Sequence, residues 1–201
     1  SAQFVASAIN AWQEMTAIRD DAMPIVNPEI GGLTFGPGTW RSGTTITAVA
    51  DTTITLDGQN DRDSKFLFQA ATTLTVGIGC DIVLINKARA ENVVWAVGTT
   101  FTTGASVDFK GSIMAGTSVT FGANVKHDGS IFAQTTITLG AANEVLNGCV
   151  VALAAITFGT TNSITFQRDR FPDAFYFPLA RDSDQMIIAC LPLTDAPLAQ
   201  C

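Results

Sequence analysis

The fold is decided by three consecutive blocks that repeat one pattern: TFTTGASVDFKGSIMAG at residues 100–116, SVTFGANVKHDGSIFAQ at residues 118–134 and TITLGAANEVLNGCVVAL at residues 136–153. A partial fourth block, AITFGTTNSITF, follows at residues 155–166. Two sets of glycines keep the same period, with spacings of 18, 18 and 19 residues in the first set and 18 and 19 in the second: Gly104, Gly122, Gly140 and Gly159, then Gly111, Gly129 and Gly148. Two sets of positions that share one period indicate a structural repeat.

A period of about 18 residues is too short for a pair of helices and is typical of one coil of a parallel β-solenoid. We therefore predict a mainly β fold with three-faced coils, and the middle repeat places its strands at residues 118–121, 124–127 and 130–133. The same element recurs upstream around Ile46, Leu74 and Phe101, which are 28 and 27 residues apart. These longer coils carry insertions, for which the polar stretches 57–65 and 86–92 are the candidates.

Side chains alternate along a strand, so the sequence assigns a direction to each position of the first face. Large apolar residues such as Phe101, Val119 and Ile137 alternate with small polar residues and are predicted to point inward. The outward positions carry no charge, and together with Ala155 they are Thr45, Thr47, Thr73, Thr75, Thr100, Thr102, Ser118, Thr120, Thr136, Thr138 and Thr157. They form a ladder of six rungs, about 4.8 Å apart, with about 6.7 Å between the two residues of a rung.

The second and third faces read differently. On the second face the outward positions are polar or charged, and Phe109, His127 and Leu146 are predicted to stack inward. On the third face the outward positions include Met114 and Phe132, and an apolar outer surface needs a cover. An N-terminal helix over about residues 3–22, ending before Pro24, supplies it through an apolar stripe of Val5, Ala8, Ile9, Trp12 and Met15. Residues 23–37 are read as a connector into the first coil.

Composition excludes several functional classes. The 201 residues include 18 acidic and 11 basic side chains, a net charge of −7, and no basic run, which argues against nucleic-acid or anionic-membrane partners. Apolar stretches are too short for a membrane span. No cysteine lies in a CxxC pattern, so the four favour disulfides and an extracellular, oxidising compartment. Cys190 and Cys201 could close a short loop, Cys149 could instead be a buried thiol, and the pairing of Cys80, Cys149, Cys190 and Cys201 stays open.

Several stretches resemble the large microbial ice-binding domain family, a discontinuous right-handed β-solenoid with a long helix beside it. The distinctive ones are the LDGxxDxxxxFxFQ run at residues 56–69 and the VLIN…NVVWxVG run at residues 83–98, and the likeness covers about residues 1–167. Glu91 stands where the family often has Cys, and the chain begins almost at the helix, whereas family domains usually carry more solenoid before it. Residues 168–201 extend past the usual end and are read as a cap or assembly segment.

The resemblance implies a secreted protein that adsorbs to the surface of ice crystals through the flat threonine-rich face and limits ice growth or recrystallisation. No catalytic group, cofactor or metal is expected for that activity. The alternative is an extracellular structural protein whose solenoids stack into a filament through an open end or through residues 168–201. A short turn, Thr103-Gly104-Ala105-Ser106, resembles a Thr/Gly element of some family members and is a second candidate site.

An enzyme of the polysaccharide-lyase kind is disfavoured. Its candidate groups, Asp108, Lys110, Lys126 and Asp128, alternate in charge as on a solvated surface, and His127 falls at an inward position. A calcium loop at Asp57, Asp61 and Asp63 is also disfavoured, because the later Gly and Glu of such loops are missing.

Overall fold

The computed structural model describes residues 2–17, 22–165 and 187–189, and these form three sheets and one long helix. The helix α1 spans Ala2–Ala17, and a short 3-10 turn spans Ala90–Asn92. Sheet A contains β1 Met23–Pro24, β3 Gly38–Ser42, β6 Phe66–Ala70, β9 Val93–Val97, β12 Ser112–Ala115, β15 Ile131–Ala133, β18 Val150–Ala152 and β21 Ile187–Ala189. Sheet B contains β4 Ile46–Ala48, β7 Leu74–Val76, β10 Thr100–Thr103, β13 Ser118–Phe121, β16 Thr136–Leu139 and β19 Ala155–Phe158. Sheet C contains β2 Thr34–Phe35, β5 Thr53–Asp57, β8 Asp81–Ile85, β11 Asp108–Lys110, β14 Lys126–Asp128, β17 Glu144–Leu146 and β20 Ser163–Thr165.

The chain visits sheets A, B and C in turn, and each strand pairs in parallel with the equivalent strand of the preceding coil. Only β21 departs from this rule among the described strands, since it pairs antiparallel with β18. Thr100 pairs with Ser118 and Ser118 with Thr136, which gives the predicted 18-residue step. The predicted mainly β solenoid is therefore confirmed, and the insertions fall in the two predicted stretches, at residues 58–65 and 86–92 between strands.

The interior is filled by one apolar and aromatic side chain after another along the solenoid axis. The rings of Phe68 and Trp95 stack with centroids 4.2 Å apart, and Trp95 packs against Phe109 at 5.2 Å. Phe109 in turn contacts Phe101 edge-on at 5.0 Å. This column comes from inward positions of all three sheets, so burial of the apolar half of each strand fixes which residues remain outside.

The helix lies on the outer surface of sheet A, as the apolar positions there predicted. Ile9 and Trp12 pack with Met114, Phe132 and Val151, and the indole Nε1 of Trp12 donates to the carbonyl of Val97 at 3.1 Å. The described part of the helix spans Ala2–Ala17, and the predicted end of the helix falls at residues 18–21, which lie outside the described part of the chain. The side chains of Val5 and Ala8 are also outside the description.

Three local predictions were wrong in detail. Residues 23–37 are more than a connector, because β1 pairs with β3, Glu29 bridges to Thr47 and β2 pairs with β5, so this segment is itself a coil layer. On sheet C the strand of the middle repeat is Lys126–Asp128, later than predicted. His127 pairs with Val145 and not with Leu146, which is half-buried, since the extra residue of this coil is absorbed after β17, where Asn147 has φ 55°.

The first of the two glycine sets lies at the corner between sheets B and C, where neighbouring coils are too close for a side chain. Added to Gly122, a Cβ atom would lie 2.5 Å from the carbonyl oxygen of Gly104 in the preceding coil, so neighbouring coils touch here backbone to backbone. We call Gly77, Gly104, Gly122, Gly140 and Gly159 the glycine column; a Cβ at any of them would lie within 2.7 Å of the preceding coil's backbone.

Replacing Gly122 with alanine is expected to destabilise the fold by about 2 kcal/mol, since the backbone on both sides must move apart. Thermal unfolding monitored by circular dichroism measures the change. Gly43→Ala is the matched control, because a Cβ there has no neighbour within 4 Å and φ is not positive. Equal melting temperatures for the two variants would contradict the close packing at this corner.

Candidate functional site

The twelve outward positions predicted for the first face all lie on sheet B or directly before its strands. We call Thr47, Thr75, Thr102, Thr120, Thr138 and Thr157 the distal column, and the strand registers align these six residues one above the next. Thr75, Thr120, Thr138 and Thr157 are exposed and the other two are half-buried. Their alignment follows from inward packing of neighbours such as Val119 and Ile137, which are fully buried.

The remaining six positions form the middle column: Thr45, Thr73, Thr100, Ser118, Thr136 and Ala155. Thr100, Ser118, Thr136 and Ala155 are paired in register, and all six members are half-buried. The Ser118 hydroxyl lies 3.4 Å from the Thr100 hydroxyl, so these groups are close enough to share water. The two columns together give a surface of hydroxyl and methyl groups without a charged side chain.

A carboxylate that sequence reasoning missed closes one end of the distal column. The Thr47 hydroxyl donates to Glu29 Oε2 at 3.0 Å, while the backbone N–H groups of Gly31 and Val49 donate to Oε1 at 2.7 and 3.0 Å. Thr47 is therefore the one predicted site residue whose hydroxyl hydrogen is committed to a charged neighbour. Glu29 lies in a segment without the repeat, so periodicity could not predict this contact.

A further set of threonines lies at the turn between sheets A and B. We call it the corner column, and it consists of Thr44, Thr72, Thr99, Thr117 and Thr135, all exposed. Backbone hydrogen bonds of 2.7–3.0 Å join each member to the next, from Thr72 N to Thr44 O through to Thr135 N to Thr117 O. The column does recur in the sequence, as the first threonine of TTIT, TTLT and TTFT. Strand alternation, however, does not predict where the side chain of a turn residue points.

On the opposite side, in most coils, the turn from sheet B to sheet C begins at a residue of the glycine column, which has no side chain. In the second candidate site, the turn at Thr103–Ser106, the threonine is not accessible, whereas Ser106 is exposed. Thr103 is only 4% exposed, and its hydroxyl points into the fold, where it lies 3.3 Å from the backbone nitrogen of Gly122. A buried hydroxyl cannot contact an external ligand.

The outer surface of sheet C carries the charges that the sequence placed there. Lys110 donates to Asp108 at 2.6 Å, and the Asn147 amide donates to Asp128 at 2.8 Å. At the insertion before β6, the backbone N–H of Gln59 and the side-chain amide of Asn86 lower the pKa of the Asp57 carboxyl, while Asp61 accepts from the Asp63 N–H in the same loop. These aspartates therefore shape turns. Among residues 2–17, 22–165 and 187–189, no three His, Cys, Asp or Glu side chains converge on a metal site.

His127 is buried in the solenoid interior, as predicted for its inward position. Its ring stacks on Phe109 with centroids 5.8 Å apart and meets Phe121 edge-on at 5.5 Å, and neither ring nitrogen has a hydrogen-bond partner. Burial lowers the pKa of His127 to about 3; the Lys110 charge acts in the same direction, while the backbones of Ser130 and Gly129 oppose the shift. A histidine held neutral and away from solvent cannot serve as a surface base.

The cysteines fall into different environments. Cys80 is free and buried, with its Sγ 2.9 Å from the Val49 carbonyl oxygen. Cys149 is disulfide-bonded, so the alternative in which it is a buried thiol is wrong. Cys190 and Cys201 lie outside the described residues. None of the helices in the described part of the chain is long and apolar enough to span a membrane.

Comparison with known proteins points in one direction. The model of a family described as Ice-binding-like matches residues 2–145 of this chain. "Ice-binding protein 1" of Shewanella frigidimarina is 39% identical over 88 residues, which cover 43% of this chain and 10% of that protein. The "Ice-binding protein" of Nostoc is 35% identical over 89 residues, 43% of this chain and 31% of that protein. The chain thus matches between a tenth and a third of the length of these curated relatives.

Solved structures share the fold over most of the chain. The ice-binding protein of the Antarctic ascomycete Antarctomyces psychrotrophicus superposes with a TM-score of 0.58 and 29% identity, covering 83% of this chain and 71% of that one. A domain of the Shewanella frigidimarina ice-binding protein superposes with a TM-score of 0.59 and 26% identity, covering 82% of this chain and 62% of that one. The structural similarity therefore covers more than 80% of this chain in both comparisons.

Proposed function

The chain belongs to the ice-binding-like family, and on that premise we propose that it adsorbs to ice through the outer surface of sheet B. The contact residues are those of the middle and distal columns, with Thr47 contributing least because Glu29 engages its hydroxyl. Adsorption of this kind hinders the growth and recrystallisation of the crystals to which the protein binds.

The observation that carries the proposal is the unbroken register of the distal column over six coils. Strand spacing repeats the hydroxyl and methyl groups about every 4.8 Å along the solenoid, and the two columns lie about 6.7 Å apart along each strand. A rigid array with two fixed repeats can hold a layer of water in a lattice-like arrangement. Many weak contacts that form together give tight adsorption, because each further contact is intramolecular once the first has formed.

The other surfaces of the solenoid are poorer candidates. Sheet A is covered by the helix, and the outer surface of sheet C alternates charges, with Asp108 opposite Lys126 and Lys126 opposite Glu144. Charged groups bind water in their own orientation and disturb a regular water layer. An uncharged, uncovered and regular surface is found on sheet B.

The direct test is inhibition of ice recrystallisation by the purified chain in a concentrated sucrose solution held below its freezing point. Crystals are expected to keep their initial size over hours, whereas heat-denatured chain at the same concentration should allow them to coarsen. Coarsening at the same rate with folded chain as with buffer would contradict ice binding.

Adsorption requires no covalent step, so the proposal includes no catalytic residue, cofactor or metal. We also propose that the chain works outside the cell, where it meets external ice. The disulfide at Cys149 supports an oxidising compartment. The free Cys80 is compatible with it, because the thiol is buried.

For residues 168–201 we propose the role of a cap that closes the C-terminal end of a domain spanning residues 1–167. The antiparallel pairing of β21 with β18 supports this role, since it covers the edge of sheet A with the same chain. The competing role is assembly into a filament. Light scattering after size exclusion distinguishes them: a cap predicts a monomeric full chain and self-association of a chain ending at residue 167, whereas filaments of the full chain would contradict it.

A further inference from the structure

We propose that the corner column is a second ice-contacting row, set at an angle to sheet B, and that the chain therefore binds two families of ice planes. This inference rests on the proposed function and extends its site around the edge between sheets A and B. The corner column belongs to a turn, so its side chains leave the solenoid in a different direction from those of the middle column.

The backbone of the corner column has the regularity that an ice-contacting row needs, although the Thr99 hydroxyl donates to the Thr72 carbonyl at 2.9 Å. Backbone hydrogen bonds link its five threonines coil by coil, and one more joins Ala154 N to Thr135 O at 2.9 Å. Each corner threonine immediately precedes a residue of the middle column, so both columns share the same repeat along the solenoid. A water layer matched to one column along this axis is therefore matched to the other.

The residues directly beside the corner column are small and uncharged. Its neighbours on the side of sheet A include Ala71, Gly98 and Gly116, where bulk is excluded: a Cβ at Gly98 or Gly116 would lie 2.0 or 2.1 Å from the backbone oxygen of the coil before it. Trp12 packs against Gly116 and donates to Val97, which fixes the helix directly beside this edge. The uncharged surface thus continues from sheet B around the corner to these small residues, and it ends at a cavity of about 330 Å³ that Trp12, Arg41 and Gln69 line beside Ala71 and Gly98.

The opposite edge of sheet B lacks these properties, which makes the extension one-sided. Beyond the distal column lie the glycine column and, in the early coils, the exposed apolar side chains of Val49 (57%) and Ile78 (52%). The acidic residues Asp51 and Asp81 follow, both exposed. No row of hydroxyl groups continues in that direction among the described residues.

The experiment grows a single ice crystal from a dilute solution of fluorescently labelled chain and identifies which planes become fluorescent. Wild type is expected to label two families of planes. The double variant Thr117→Lys, Thr135→Lys should lose one family and keep the other, and Thr120→Lys should lose the family that the corner variant keeps. Thr53→Lys, an exposed threonine on sheet C, is the matched control and should keep both. Melting temperatures near that of wild type show that the variants are folded. A Thr117→Val, Thr135→Val variant is measured as a second check that the effect comes from the surface and not from misfolding.

Each outcome of this experiment has one meaning. If wild type labels a single family, or if the corner variant loses both families together, the corner is not a second contact row and the inference is overturned. If wild type labels no plane at all, the proposed function itself fails. Loss of one family in the corner variant, together with loss of the other family in Thr120→Lys, supports the inference, whereas a corner variant that keeps both families overturns it.

Discussion

Replacing Thr120 with lysine is expected to weaken inhibition of ice recrystallisation strongly while leaving the fold intact. Thr120 is exposed in the centre of the distal column, flanked in register by Thr102 and Thr138. A long charged side chain there holds the surface away from ice and breaks the regular water layer on both sides. We expect the concentration needed for half-inhibition to rise at least about tenfold, a loss of about 1.4 kcal/mol or more in adsorption.

The control for this prediction is Thr53→Lys, which adds the same charge to an exposed threonine on sheet C. Its recrystallisation inhibition should match that of wild type, and circular dichroism should show equal melting temperatures for all three chains. Full activity of Thr120→Lys, or equal loss in both variants, would contradict the assignment of the ice-contacting surface to sheet B.

Acid should destabilise the chain through His127. The pKa of this buried side chain is about 3 in the folded chain against an ordinary value of 6.5, so between these values the unfolded chain binds a proton that the folded chain does not. Stability therefore falls as pH decreases below 6.5, by about 1.4 kcal/mol per pH unit. The loss should reach about 3 kcal/mol at pH 4 and level off near pH 3.

The variant His127→Leu isolates this effect, because the carboxyl groups that also titrate in acid are common to both chains. Urea unfolding at pH 8 and pH 4 measures the free energy of unfolding of each chain. Near pH 8 the repacked core should cost less than about 1.5 kcal/mol, and at pH 4 the variant should be the more stable of the two. Parallel pH profiles for wild type and variant would show that His127 is not held neutral by burial.

The sequence predicted the parts of the fold that repeat. The 18-residue period and strand alternation placed Val119 and Ile137 inside and Thr120 and Thr138 outside, because burial of one side of each strand leaves its neighbours outside. The wrong prediction for Leu146 comes from the same reliance on the repeat. A coil of 19 residues contains one extra residue, and periodicity does not say whether the strand or the turn absorbs it; the turn at Asn147 does.

Other features of the site could not be read from the repeat. The Glu29 contact joins a segment without periodicity to Thr47, 18 residues away, and depends on how the first coil layer folds back. The threonines of the corner column, such as Thr99 and Thr117, recur in the sequence. Strand alternation, however, does not predict the direction of a side chain in a turn. The helix was predicted on the correct face because Met114 and Phe132 required a cover.

The contacts of the helix also bear on how the molecule opens. A solenoid holds its coils by contacts between neighbours only, so its terminal coils can fray one at a time. Here α1 reaches from Gln69, whose amide donates to the Met15 carbonyl, to Val151 four coils further along. The helix therefore couples the opening of one coil to the opening of the others. Near the freezing point, where the hydrophobic contribution weakens, such cooperativity keeps the whole length of the threonine array intact.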